Sequence, residues 1–168
     1  MAKGLAFNKA AVKATINPVD VETYTLNESL YTLEAREAVI LKTVKHNMSW
    51  RIYGLASYNF SDLAQVYIQM HRLSEAKWYL LQSNNLSRQQ NDDKHTIANL
   101  MDLAMVKTDI GDPVSARADL VEAHDLANVR GMKEKAEEID KKIQLIDQNK
   151  SASSAKYAEA SAASKKDL

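Results

Sequence analysis

At 168 residues with 45% hydrophobic content, the chain is long enough for one modest core, and a single domain is the expectation. Lysine plus arginine equals aspartate plus glutamate at 22 each, so no net field favours nucleic acid, an acidic substrate or an anionic membrane. Four glycines and two prolines are too few for an all-β chain with its many turns, and the absence of cysteine excludes disulfides and thiolate metal sites.

Residues 1–25 mix Leu5, Phe7, Val12, Ile16, Val19, Val21 and Tyr24 with Lys, Asn and Thr, and Pro18 bars helix continuation. They read as an N-terminal arm with room for one short helical turn before Ile16. Thr25-Leu26-Asn27-Glu28 offers a capping box, and Leu26, Leu30, Leu33, Leu41 and Val44 follow at helical spacing, which predicts a helix over 26–47. Ser49 is a candidate cap for a second helix running through Trp50, Tyr53, Phe60, Leu63, Ala64 and Tyr67 to Met70. Ser74 is the candidate cap for a third over 74–89.

Asn91-Asp92-Asp93 starts a fourth helix over 93–110. Gly111-Asp112-Pro113 ends it and starts a fifth over 113–129, because glycine suits the left-handed residue after a helix, aspartate the cap and proline the first helical position. A sixth helix, 132–148, carries Ala136, Ile139, Ile143 and Ile146 on one narrow stripe with a wide charged back, as the open end of a stacked array requires. From Lys150 the Ala/Ser/Lys stretch lacks apolar periodicity apart from Tyr157, and 150–168 reads as a flexible tail or fraying helix.

Within this frame, residues 62–86 and 102–126 are two copies of one pattern set 40 residues apart. Asp62/Asp102, Leu63/Leu103, Ala64/Ala104, Val66/Val106, Ala76/Ala116, Leu80/Leu120 and Leu86/Leu126 coincide: seven identities over 25 positions, where roughly two follow from average composition. A fixed period in the range of about 20–50 residues marks a solenoid, whose units stack because none buries its apolar face alone. The expected architecture is all-α: a right-handed α-solenoid of antiparallel helix pairs, about six helices, with the repeat domain over 26–149.

The first copy carries Phe60-x2-Leu63-Ala64-x2-Tyr67 on one helix and Ala76-x3-Leu80-x2-Ser83 on the next. The second carries Leu100-x2-Leu103-Ala104-x2-Lys107, then Ala116-x3-Leu120-x2-Ala123. Large, Leu, small, aromatic followed by small, aromatic, small is the pattern of the tetratricopeptide repeat (TPR), which this chain resembles over about residues 57–146. The small residues let paired helices approach closely while the larger ones fill the space between layers. The spacing of 40 exceeds the family's usual ~34, the usual proline after the second helix is replaced by Arg88 and Asn128, Lys107 stands where an aromatic belongs, and His71 replaces the turn glycine.

The resemblance implies a non-enzymatic interaction module, a scaffold or adaptor that docks a peptide or helix of a partner protein on its concave face. That face would be lined by Tyr58, Ser61, Gln65, Ile68 and Gln69 from the first copy and Met101, Met105, Thr108 and Asp109 from the second. The Lys/Asn clamp by which some members hold a carboxylate is missing, since Ser61, Gln65, Met101 and Met105 occupy those places. Trp78 and Leu81 are a possible contact spot on the convex side, open to self-association as a homo-oligomer unless the 26–47 helix or the arm covers them.

Signals for chemistry are weak. His46, His71, His95 and His124 lie far apart, and no Gly-rich phosphate loop or nucleophile elbow is present, so no catalytic residue, metal or cofactor is expected. Arg36, Lys42, Lys45 and Arg51 are interleaved with Glu34 and Glu37 and read as solvated surface, so no nucleic acid is expected as partner. No stretch approaches the ~18 apolar residues of a membrane span, and Met1-Ala2-Lys3-Gly4 lacks a signal peptide's apolar core. The expectation is a soluble chain without membrane insertion, cytoplasmic if complete and periplasmic or secreted if a signal peptide has been removed.

Overall fold

The computed structural model describes the backbone of residues 29–164 and the side chains of residues 29–149. Among them every regular element is a helix: α1 (Leu30–Ser49), α2 (Tyr53–Gln69), α3 (Leu73–Gln89), α4 (Asp93–Asp109), α5 (Pro113–Val129) and α6 (Lys133–Ser164). Each helix packs on the next, α1 on α2 through α5 on α6, and α2 also touches α4. The result is an all-α solenoid of antiparallel helix hairpins.

Its regularity is finer than the repeat of 40 suggests. Helices α2 to α5 each have 17 residues, and the positive φ angles fall at Arg51 (58°), His71 (57°), Asn91 (56°), Gly111 (84°) and Gly131 (69°), one every 20 residues. Every joint makes the same pair of backbone bonds. At the first, Arg51 N donates to Met48 O and Ile52 N to Asn47 O; at the fourth, Gly111 N donates to Thr108 O and Asp112 N to Lys107 O. This is the Schellman arrangement, in which the left-handed residue turns the chain while the last carbonyls of the helix stay bonded.

One turn into each following helix, Ala56, Ala76, Thr96, Ala116 and Ala136 are all buried, none more than 4% exposed. Small side chains there let successive helices close on one another. The core is correspondingly spread along the array. Val44, Ala56, Phe60 and Leu86 form one cluster at the α1 end, Leu63, Tyr67, Ala76, Leu80 and Leu103 the next, and Leu100, Ala104, Ala116, Leu120, Ile139 and Ile146 the last.

Several expected boundaries shift. Helix α1 begins at Leu30 with Ser29 as its cap, whose Oγ accepts from Thr32 N, and the capping box proposed at Thr25–Glu28 lies outside the described residues, as does the arm over 1–25. Ser49 ends α1 instead of capping α2, because Trp50, Arg51 and Ile52 are needed for the Schellman joint. Ser74 likewise lies inside α3, whose cap residue is Arg72. Asp92 and Asp112 cap α4 and α5 as expected, accepting from His95 N and Ser115 N. Helix α6 continues past the expected stop at 148 and is helical backbone to Ser164, since its Ala-rich sequence contains no residue that ends a helix.

Candidate trough between α4 and α6

The nine residues expected to line one face divide into two groups. The five on α2 are held by internal contacts. Tyr58 stacks on His95 with ring centroids 3.8 Å apart and donates to Asp92 Oδ2 at 2.7 Å. Ser61 donates back to the Tyr58 carbonyl at 2.9 Å, and Gln65 Nε2 donates to Asp102 Oδ2 at 2.9 Å. Ile68 packs against the Leu63 cluster, and Gln69 Oε1 accepts from Arg36 at 3.4 Å. The hydrogen bond with Asp92 raises the Tyr58 pKa and lowers that of Asp92, as expected when the ionised carboxylate is the acceptor. Burial raises the Asp102 carboxyl, against the opposing hydrogen bond from Gln65.

The four on α4 are brought together. Met101, Met105, Thr108 and Asp109 line a hollow of about 170 Å³ whose opposite wall is Lys142, Leu145, Ile146 and Asn149 of α6, with Leu120 at its base. Met101, Met105 and Lys142 also line an adjoining hollow of about 280 Å³ toward the start of both helices, together with Lys94, Asp102, Lys135 and Glu138. The two hollows share a methionine waist and form one trough running the length of α4. The α6 wall is hidden in the sequence because 132–148 carries the wide charged back of a polar end cap. The 40-residue register does point to it, since Leu145 and Asn149 stand 40 residues beyond Met105 and Asp109.

Trp78 is 52% exposed and Leu81 43%, so among the described residues the first helix does not cover them, while the arm offered as the other cover lies outside the described residues; Trp78 rests edge-on against Tyr79, 4.8 Å between centroids. Helix α1 packs chiefly on α2, and Val44 of α1 shares a core cluster with Leu86 of α3.

A buried polar cluster, which the sequence did not announce, joins α2, α3 and α4. Ser83 Oγ lies 2.7 Å from the Ser57 carbonyl, 3.0 Å from His95 Nε2 and 3.1 Å from Asn99 Oδ1, and Ser87 Oγ lies 2.8 Å from Thr96 Oγ1. A serine beside a histidine is the beginning of a nucleophile and base pair. Ser83 is 0% exposed and Asn99 1%, so no substrate atom reaches the hydroxyl, and its contacts are accounted for by satisfying buried polar groups. The cluster ties three helices together at the half-repeat position held elsewhere by Leu63, Leu103 and Ala123.

Among the described residues no group of three or more His, Asp or Glu side chains is placed to hold a metal ion, and no helix is long and apolar enough to cross a membrane. No protein-family model matches the chain, and no curated protein shows significant similarity to it.

Proposed function

We propose that the chain is a non-enzymatic protein-interaction module, a tetratricopeptide-like scaffold that docks a peptide or helix of a partner protein in the trough between α4 and α6. The observation that carries this reading is the pair Met101 and Met105, which line both hollows, with Met105 44% exposed. Unbranched, polarizable methionine adapts to irregular apolar surfaces, and helix-in-groove recognition uses such walls. The α2 half of the same face offers less, because its polar groups already have partners within the chain.

The test is Met101→Ala combined with Met105→Ala in the intact chain. Capture of a host partner should fall markedly while the circular dichroism of the helices stays unchanged; undiminished capture would remove the trough from the account. A second reading, self-association through the half-exposed Trp78 and Leu81, is favoured by their lack of cover among the described residues. It predicts a concentration-dependent dimer by light scattering that Trp78→Ser abolishes. An RNA-binding role is disfavoured by the zero net charge.

A further inference from the structure

The two hollows of the trough differ in character, and the difference bears on what fits them. The one toward the helix ends is walled by Met101, Met105, Leu145 and Ile146, with Leu145 58% exposed. The one toward the helix starts is ringed by Lys94, Lys135 and Lys142 against Asp102 and Glu138. Of those five charges, Lys135 and Glu138 pair with each other at 2.7 Å, and Asp102 accepts from Gln65 in a partly buried position. Neither Lys94 nor Lys142 forms a salt bridge among the described residues. Lys142 lies within electrostatic reach of Asp102 and Glu138, and Lys94 of Asp92, but neither ammonium is paired at contact distance; with three lysines to two carboxylates on its wall, this hollow is net positive next to an apolar slot.

We infer that the trough takes an amphipathic protein segment that seats apolar side chains against Met101, Met105 and Leu145 and sets a carboxylate side chain between Lys94 and Lys142. This rests on the trough being the docking site and adds the chemistry of its occupant. From Lys94 to Asp109 the wall of α4 is about 22 Å long, the length of about four helical turns. Apolar anchors supply affinity, while the exposed lysines select by charge, because a basic segment in the same place meets like charges.

The experiment is a selection of random displayed peptides of about 16 residues against the full chain, repeated against Lys94→Glu/Lys142→Glu and Met101→Ala/Met105→Ala, with helicity of each variant checked by circular dichroism. Both lysines are on the surface of the trough, and glutamate near the start of α4 suits the helix dipole, so the charge-reversed protein keeps its fold. Enriched peptides should combine Leu, Met or Phe at helical spacing with Asp or Glu, should bind at least about tenfold more weakly to the charge-reversed chain, and should lose binding to the methionine variant. Peptides that depend on the methionines and are indifferent to the lysine reversal would overturn the carboxylate and leave the trough standing. No enriched peptide, or binding untouched by the methionine change, would overturn both.

Discussion

Arg51, His71 and Asn91 hold positive φ angles that glycine adopts without strain, as Gly111 and Gly131 do at the matching joints. A side chain in the left-handed region costs about 1–2 kcal/mol, least for asparagine. His71→Gly should therefore raise unfolding free energy by about 1 kcal/mol in urea titrations, whereas Gly111→Ala should lower it by a similar amount although a Cβ there meets nothing within 4 Å. The cost is in the backbone alone. The carboxyls of Asp102 and Asp119 behave differently from most surface acids, because burial raises both. A folded pKa above the unfolded one means that the native state takes up the proton first, so stability contributed by these two rises as pH falls from neutral toward their folded values. Below about pH 4 the trend reverses, as Asp92, Asp112, Glu75 and Glu138, whose pKa values are lowered in the fold, become protonated. Asp102→Asn should flatten the gain on acidification above the ordinary carboxylate range, measured by denaturant titration at each pH; an unchanged slope would show that burial of Asp102 plays no part.

Between elements, the two copies solve one contact in two ways. Tyr67 of α2 stacks on Tyr79 of α3 at 5.1 Å, bonds Glu37 of α1 and lies under the Arg72 guanidinium at 4.7 Å. Forty residues on, Lys107 of α4 pairs with Asp119 of α5 at 2.5 Å, both side chains about 15% exposed. The substitution of lysine for the repeat's aromatic thus travels with a carboxylate on the facing helix. Legible in the sequence was the departure at Lys107; its compensation at Asp119 was not, because nothing in one chain says which residues face each other across a hairpin. Burial raises the Asp119 carboxyl against the opposing bond from Lys107, so the pair stabilises little net. Lys107→Met with Asp119→Leu should leave the protein as stable or raise it by about 1–3 kcal/mol, while Lys107→Met alone should destabilise by about 3 kcal/mol through the unpaired carboxylate. Thermal unfolding of the three proteins decides it, and a stabilised single variant would contradict the argument.

Across the whole molecule each helix touches chiefly its neighbours, so stability is a sum of local interfaces and not the property of one centre. Helix α1 packs chiefly on α2, and α6 chiefly on α5, whereas α3 and α4 have a packed neighbour on each side and carry the Ser83–His95–Asn99 cluster. Native-state amide exchange should accordingly show protection greatest in α3 and α4 and falling toward α1 and α6; uniform protection would indicate one cooperative core.

The all-α class, the six helices of the described residues, the hairpin order and the small residues at Ala76 and Ala116 are legible in the chain, because helical periodicity, caps at Asp92 and Asp112 and a 40-residue self-match are local or repeated signals. The same register also places Met101, Met105, Thr108 and Asp109 on one surface. That the α2 half of that surface is tied up by Asp92, His95 and Asp102, while the α4 half stays open against Leu145 and Lys142, emerges only from the packed helices. The reason is physical: whether a polar side chain on a helix face is free depends on what the next helix brings within about 3 Å, and that is set by the packing of elements far apart in the chain.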